Sequence, residues 1–197
     1  MRRTSHGQQK LALLEPLLAS LRYRHSFRLI KEMLASGEQV EGFDIGCGFK
    51  GDFVAKANLL EGVNFRGGDL EVDDRPELFR FDLSNPGTLP FSPNLVTLHA
   101  VLEHIYDPVA VVRYVHSILR PGGYFLLTAP SPAAKPILEL LAFRLGLICR
   151  TEIEDHKQYF DRKLLLKLLG KPSGPFDEVK HTYFQLGLNN LAICRKL

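Results

Sequence analysis

Gly46-x-Gly48-x-x-Gly51, within the stretch FDIGCGFKGDF, has the spacing of a turn that lets backbone approach a bound nucleotide. Three acids accompany it: Asp44 just before the first glycine, then Asp69, then Asp82. Two histidines further on, His104 in LEHIYDP and His156 in EDHKQYF, are suited to moving a proton. The glycine turn alone serves two kinds of ligand. A dinucleotide rests its pyrophosphate on the following helix and its ribose on an acid about 20 residues later. Asp69 fills that second place, but a nucleoside without phosphate would use it equally well.

Asp44 separates the two. A carboxylate in the strand that feeds the turn is poorly placed for an anionic pyrophosphate. It suits a ligand with a positive charge, and S-adenosylmethionine carries an ammonium and a sulfonium but no phosphate. Asp82, in FDLSNPGTLPF, stands where an adenine amino group can donate to it. Three acids at three successive strand ends are expected to line one negative cleft.

The elements that must hold these residues follow from the apolar pattern. Residues 8–36 read as helix, with Leu11, Leu14, Leu18 and Leu21 at helical spacing and Pro16 a point of division. Strands are expected at VEGFDIG, VNFRGGDL, LFRFDLS, LVTLHAV and YFLLTAP, with a helix after the glycine turn. DPVAVVRYVHSILR predicts a helix with Asp107 as N-cap and Pro108 first. Residues 136–149 read as helix, and DRKLLLKLLG as another, capped by Asp161 and stopped by Gly170. The last stretch predicts two strands around a turn containing Gly187, Asn189 and Asn190. The fold class is therefore α/β. A Rossmann-like, doubly wound, seven-stranded sheet is expected, mainly parallel, with a C-terminal antiparallel hairpin. Residues 1–197 read as one domain. Residues 1–36 form a helical arm, and 133–160 an insertion that acts as an acceptor platform or lid.

In this order and spacing the motifs resemble those of the class I S-adenosylmethionine-dependent methyltransferases, in particular the small-molecule branch that includes quinone-biosynthesis enzymes. FDIGCGFKG, GGDL, FDLSNPGTLPF, LVTLHAVLEHIYDP and LRPGGYFLLTAPSP carry the resemblance. It implies that Asp44, Gly46, Cys47 and Gly48 contact the methionine part of the cofactor. Asp69 would hold the ribose hydroxyls, with Leu70 near the adenine. Asp82 and Leu83 would hold the adenine edge. His99 and Ala100 would offer backbone groups at the end of the fourth strand. The loop departs from the more usual GxGxG, which displaces Gly51 from the family's third glycine.

Methyl transfer from a sulfonium is an in-line displacement, so alignment supplies much of the catalysis. A hydroxyl acceptor also needs a base, for which His104 and His156 are the candidates. His99, Glu103 and His104 form HxxxEH, which matches no zinc spacing, so no metal is expected. Neither the Asn-Pro-Pro-Tyr of adenine methylation nor a Pro-Cys nucleophile occurs. A small molecule, sugar or lipid-linked intermediate is the expected acceptor. A non-catalytic scaffold that binds S-adenosylmethionine, an RNA methyltransferase and a nicotinamide oxidoreductase are the alternatives. The last lacks a Tyr-x-x-x-Lys pair.

The bulk numbers exclude little else. The net charge of +3 is too small to imply a nucleic-acid partner. From Arg2 to Lys31 there are seven Lys or Arg and one acid, Glu15. This arm reads as a solvated helix face, or as a contact for phosphate, RNA or an anionic membrane surface. Cys47, Cys149 and Cys194 form no metal or disulfide spacing. With no signal-peptide pattern, a cytoplasmic protein is expected, with peripheral membrane contact at most.

Overall fold

Alternation of apolar side chains in the central strands decides the layers. In β1 (Val40–Ile45), Phe43 and Ile45 point to one face of the sheet and Val40 to the other. In β4 (Leu95–His99), Val96 and Leu98 take the first face and Leu95 the second. Both faces therefore need cover. The computed structural model describes residues 14–197. Its seven strands run in the order β3-β2-β1-β4-β5-β7-β6. Here β2 is Val63–Asp69, β3 Leu78–Arg80, β5 Tyr124–Pro130, β6 Glu178–Phe184 and β7 Asn189–Arg195. Strands β1 to β5 pair in parallel and β5-β7-β6 antiparallel, as the sequence predicted.

One face is covered by α1 (Glu15–Ala35) and α2 (Asp52–Ala57). Leu29, Ile30 and Met33 of α1 and Phe53, Val54 and Ala57 of α2 bury against Val40, Phe65, Leu95 and Leu126. The other face is covered by α3 (Pro108–Ile118) and α6 (Arg162–Leu169), through Val111, Val112 and Val115 and through Leu165 and Leu169. Asp107 caps α3 by accepting from the Ala110 N–H at 3.0 Å, and Asp161 caps α6 by accepting from Leu164 at 2.7 Å. Both caps were expected, as was Gly170 closing α6.

Pro16 stands in the first turn of α1, where a residue has no intrahelical use for its N–H. The part of the predicted helix before residue 14 lies outside the described residues. Three boundaries differ from the sequence reading. β3 ends at Arg80, so Asp82 falls in a turn. The helix expected over 136–149 is instead α4 (Ala134–Glu139), a wider π turn over Leu140–Arg144, and then α5 (Arg150–Glu154). The last hairpin turns at Gln185–Leu188, and Asn189 and Asn190 belong to β7. Among the described residues, no helix is long and apolar enough to cross a membrane.

Candidate active site

The strand order reverses between β1 and β4, and in such sheets ligands bind beyond the carboxyl ends of the strands at that point. Gly46, Gly48 and Gly51 leave β1 with φ of 73°, 73° and 58°, a left-handed path that favours glycine. Their roles differ. A side chain on Gly46 would meet Val101 at 2.4 Å, and one on Gly51 would meet Leu78 at 2.5 Å. Gly51 thus starts α2 and lets the loop pack on β3, which explains its displaced position. Among the described residues, a side chain on Gly48 would meet nothing within 4 Å, which leaves room for a ligand there. Asp69, at the end of β2, accepts from the Gly48 N–H at 2.9 Å and from the Leu70 N–H at 2.7 Å. Acid, loop and Leu70 are thereby fixed as one unit. α2 has only six residues and begins with Asp52, a poor seat for a pyrophosphate. Open space at Gly48, an acid beside it and Asp52 where a phosphate would lie fit S-adenosylmethionine. Gly48 would meet its methionine part and Asp69 its ribose.

The other two acids do not complete one row. Asp44 alternates with Phe43 and Ile45, so it faces α1 and is almost wholly buried. In the β1–β4 register it stands beside Thr97, whose hydroxyl donates to Asp44 Oδ1 at 2.6 Å. His99 follows Thr97 on the same face, and its Nδ1 lies 3.2 Å from the same oxygen. His99 Nε2 meets the hydroxyl of Ser26 in α1 at 2.8 Å. Asp82 is exposed, and its carboxylate accepts from the Ser84 N–H at 2.9 Å and its hydroxyl at 2.6 Å. Those two bonds hold its pKa below the usual value. Leu83 packs partly buried against the α3 side of the sheet. Cys47 is buried, and its side chain stands against Gly67 of β2. Burial, with Asp44 and Asp69 nearby, raises its pKa and keeps it a thiol.

β4 ends at His99, and Ala100 after it takes a left-handed φ of 53° and turns the chain into the short 3-10 helix Leu102–His104. There the fold makes a grouping that the spacing did not show. His99 points back to Asp44, away from Glu103 and His104. In its place His156 arrives from the segment after α5, its ring centroid 4.9 Å from that of His104. His104 Nδ1 lies 3.2 Å from Asp155 Oδ2, and His156 Nδ1 3.1 Å from the Tyr159 hydroxyl. Lys157 donates its backbone N–H to the Glu103 carbonyl at 2.7 Å, tying the segment to the end of β4. Glu103 is wholly buried, which raises its pKa to about 7. Among the described residues, its Oε2 meets no hydrogen-bond partner. Burial, then the neighbouring His104, lowers His156 to about 4, so it is neutral near pH 7. Ligand atoms of Glu103, His104 and His156 all lie within 4.8 Å of one another, close enough to hold one cation.

Both candidate bases therefore meet at one place, as do the glycine loop and Asp69. Ser26, Thr97, Tyr23 and Asp155 escaped the sequence reading. Thr97 and His99 had a visible signal, being the polar residues that alternate with Val96 and Leu98 in a strand. Ser26 had one too, standing three residues before Leu29 on the apolar stripe of α1.

Sheet order, glycine loop and the acid that ends β2 together fit a class I methyltransferase architecture. The chain belongs to the methyltransferase-domain family, whose model matches residues 18–171. Among curated relatives, it is 34% identical over 99 residues to the ubiquinone biosynthesis O-methyltransferase of Nitrosospira multiformis, covering 49% of this chain and 36% of that one. It is 29% identical over 135 residues to the enzyme of the same name from Colwellia psychrerythraea, covering 66% of this chain and 50% of that one. The chain thus spans half or less of the length of these two relatives. Among solved structures, it resembles magnesium protoporphyrin IX methyltransferase from Synechocystis with bound SAH. The TM-score is 0.62 at 15% identity, over 98% of this chain and 91% of that one. The plantazolicin methyltransferase gives a TM-score of 0.68 at 12% identity, over 95% and 86%.

Proposed function

We propose that this chain transfers a methyl group from S-adenosylmethionine to a hydroxyl oxygen of a small aromatic acceptor with an apolar tail. The observation that carries this reading is the His104 ring, oriented by Asp155 and grouped with His156 and Glu103 just past β4. When bound, S-adenosylmethionine supplies an activated methyl and its sulfide leaving group. The chain must then align the acceptor and take the hydroxyl proton. His104 is the base, since an oriented histidine has the proton affinity for the task near neutral pH. Asp155 steadies the ring and the imidazolium that forms. His156, neutral and braced by Tyr159, forms the neighbouring wall. The relatives' name, O-methyltransferase, supports a hydroxyl acceptor. Ile137, Leu140, Phe143 and Leu145 are exposed apolar residues in the segment that delivers His156, and they support an apolar tail.

A second reading rests on Glu103 Oε2, buried without a hydrogen-bond partner among the described residues. A divalent cation held by Glu103, His104 and His156 would satisfy it and stabilise the acceptor's oxyanion instead. The deciding test of the function is methyl transfer from labelled S-adenosylmethionine to a catechol with an alkyl chain, with RNA as a comparison acceptor. Label in the catechol ether supports the reading. Binding of S-adenosylmethionine with no transfer to any acceptor returns the chain to a scaffold.

A further inference from the structure

We propose that Ser26 and His99 form a latch that seats the N-terminal half of α1 over the methionine end of the site, so that docking of α1 and binding of the cofactor are coupled. The proposal rests on the reading of this chain as an S-adenosylmethionine-binding methyltransferase.

Four buried polar side chains form one continuous path. Thr97 meets Asp44 at 2.6 Å, Asp44 meets His99 at 3.2 Å, and His99 meets Ser26 at 2.8 Å. Ser26 and Thr97 are fully buried, and the side chains of Asp44 and His99 are 3% and 5% exposed. In the scheme proposed, a single proton on the His99 ring, at Nδ1, satisfies every contact. Ionised Asp44 accepts from the Thr97 hydroxyl and from His99 Nδ1–H. Neutral His99 then accepts at Nε2 from the Ser26 hydroxyl. Asp44 fixes the histidine's tautomer, and the tautomer makes Ser26 a donor. Ser26 and His99 are positioning residues in this scheme, acting on the site through Asp44 and α1.

The place of Ser26 in α1 gives the link its consequence. Beyond it, Leu29, Ile30 and Met33 bury into the core and anchor the C-terminal half. Before it, no residue of α1 is fully buried. The N-terminal half rests on smaller contacts, among them Glu15 accepting from the Cys149 N–H at 3.1 Å and His25 edge-on to Phe184 at 4.7 Å. Ser26 stands at the boundary between these halves. One turn earlier, Tyr23 packs on His99 at 5.0 Å and on Phe53, just after the glycine loop, at 5.2 Å. Burial raises the Tyr23 pKa, and Asp44, Asp52 and Cys47 lie close enough to raise it further. The first half of α1 therefore lies against the glycine loop, and Ser26 is its polar fastening. Thr97 and His99 also tie that fastening to β4, the strand that leads to His104.

The test uses Ser26→Ala and His99→Asn, the second keeping a donor for Asp44 while losing the contact with Ser26. In the parent, nitrogen NMR should show His99 protonated at Nδ1 alone, and Ser26→Ala should shift its Nε2 signal. Hydrogen exchange of residues 15–25 should quicken in both variants, and that of residues 29–35 should not. The dissociation constant for S-adenosylmethionine should rise about tenfold in each variant, the size of one buried hydrogen bond, and no further in the double variant. Unchanged exchange over 15–25, or cofactor affinity equal to the parent's, overturns the latch. If the parent itself fails to bind S-adenosylmethionine, the functional reading and the coupling fall together. The tautomer and exchange measurements then still decide whether the fastening exists.

Discussion

The Gly48 N–H donates to Asp69 Oδ2 across 2.9 Å, so the acid that ends β2 and the glycine of the loop are held as one piece. Asp69 Oδ1 is engaged by Leu70 at the same time. An amide cannot accept on both sides. Asp69→Asn should therefore disturb the loop as well as lose charge. Its affinity for S-adenosylmethionine should fall about 10- to 100-fold, the range for a charge-assisted hydrogen bond. Calorimetric titration measures this directly.

The glycines give a paired prediction. Gly46→Ala places a methyl 2.4 Å from Val101 on a left-handed backbone, so overpacking adds to strain. A loss of at least ~2 kcal/mol is expected. Gly48→Ala meets open space and has strain alone, roughly 1–2 kcal/mol. Thermal melts should rank the two in that order. Cofactor binding should nonetheless be lost in Gly48→Ala, because its methyl enters the ligand's space.

For the base, His104→Gln should lower kcat by about 10²- to 10⁴-fold, the usual contribution of a general base, with cofactor affinity unchanged. Asp155→Asn should give a smaller fall in kcat, because it weakens the 3.2 Å contact that orients the ring and the ion pair with Lys157 but leaves the base in place. Equal losses in kcat and in cofactor affinity for His104→Gln would move this residue from the chemistry to the scaffold.

Chelation separates the base from the cation. With His104 as the base, activity should persist after treatment with EDTA. Activity lost to EDTA and restored by a divalent ion would assign Glu103, His104 and His156 to a metal.

Buried Glu103 gives a stability prediction with a defined sign. Its pKa is about 7 in the folded chain against 4.5 as a free group. Between these values the folded state binds more protons than the unfolded state. Its contribution to stability therefore falls as pH rises from 4.5 to 7 and is flat above that. Glu103→Gln, melted in EDTA at pH 8, should be more stable than the parent, by something on the order of 2–3 kcal/mol. The difference should shrink toward pH 5.

The sheet and its layers were legible because Val96 and Leu98 against Leu95, and Phe43 and Ile45 against Val40, write their faces in alternation. The caps at Asp107 and Asp161 were legible because each bonds within its own first turn. The cofactor loop was legible as a local motif. The partners of its acids were not. Asp44 meets Thr97 only through the register of β1 on β4, and Ser26 meets His99 across 73 positions of chain. His104 and His156 were both visible as candidates, but only the fold places them together. The place of Asp82 was not legible, because a strand-end acid and a turn-closing acid look alike until the strand's last residue is known.

The tie between Lys157 and the Glu103 carbonyl has an evolutionary corollary. On the proposed function, residues 40–70 would hold the nucleoside side of the site, while 133–160 would deliver His156 to the reacting side through a backbone N–H that any residue but proline supplies. The donor half can stay constant while the acceptor half is exchanged like a cassette. A chimera that grafts a relative's 133–160 segment onto this chain should then change which alcohol is methylated and leave recognition of the methyl donor as it was.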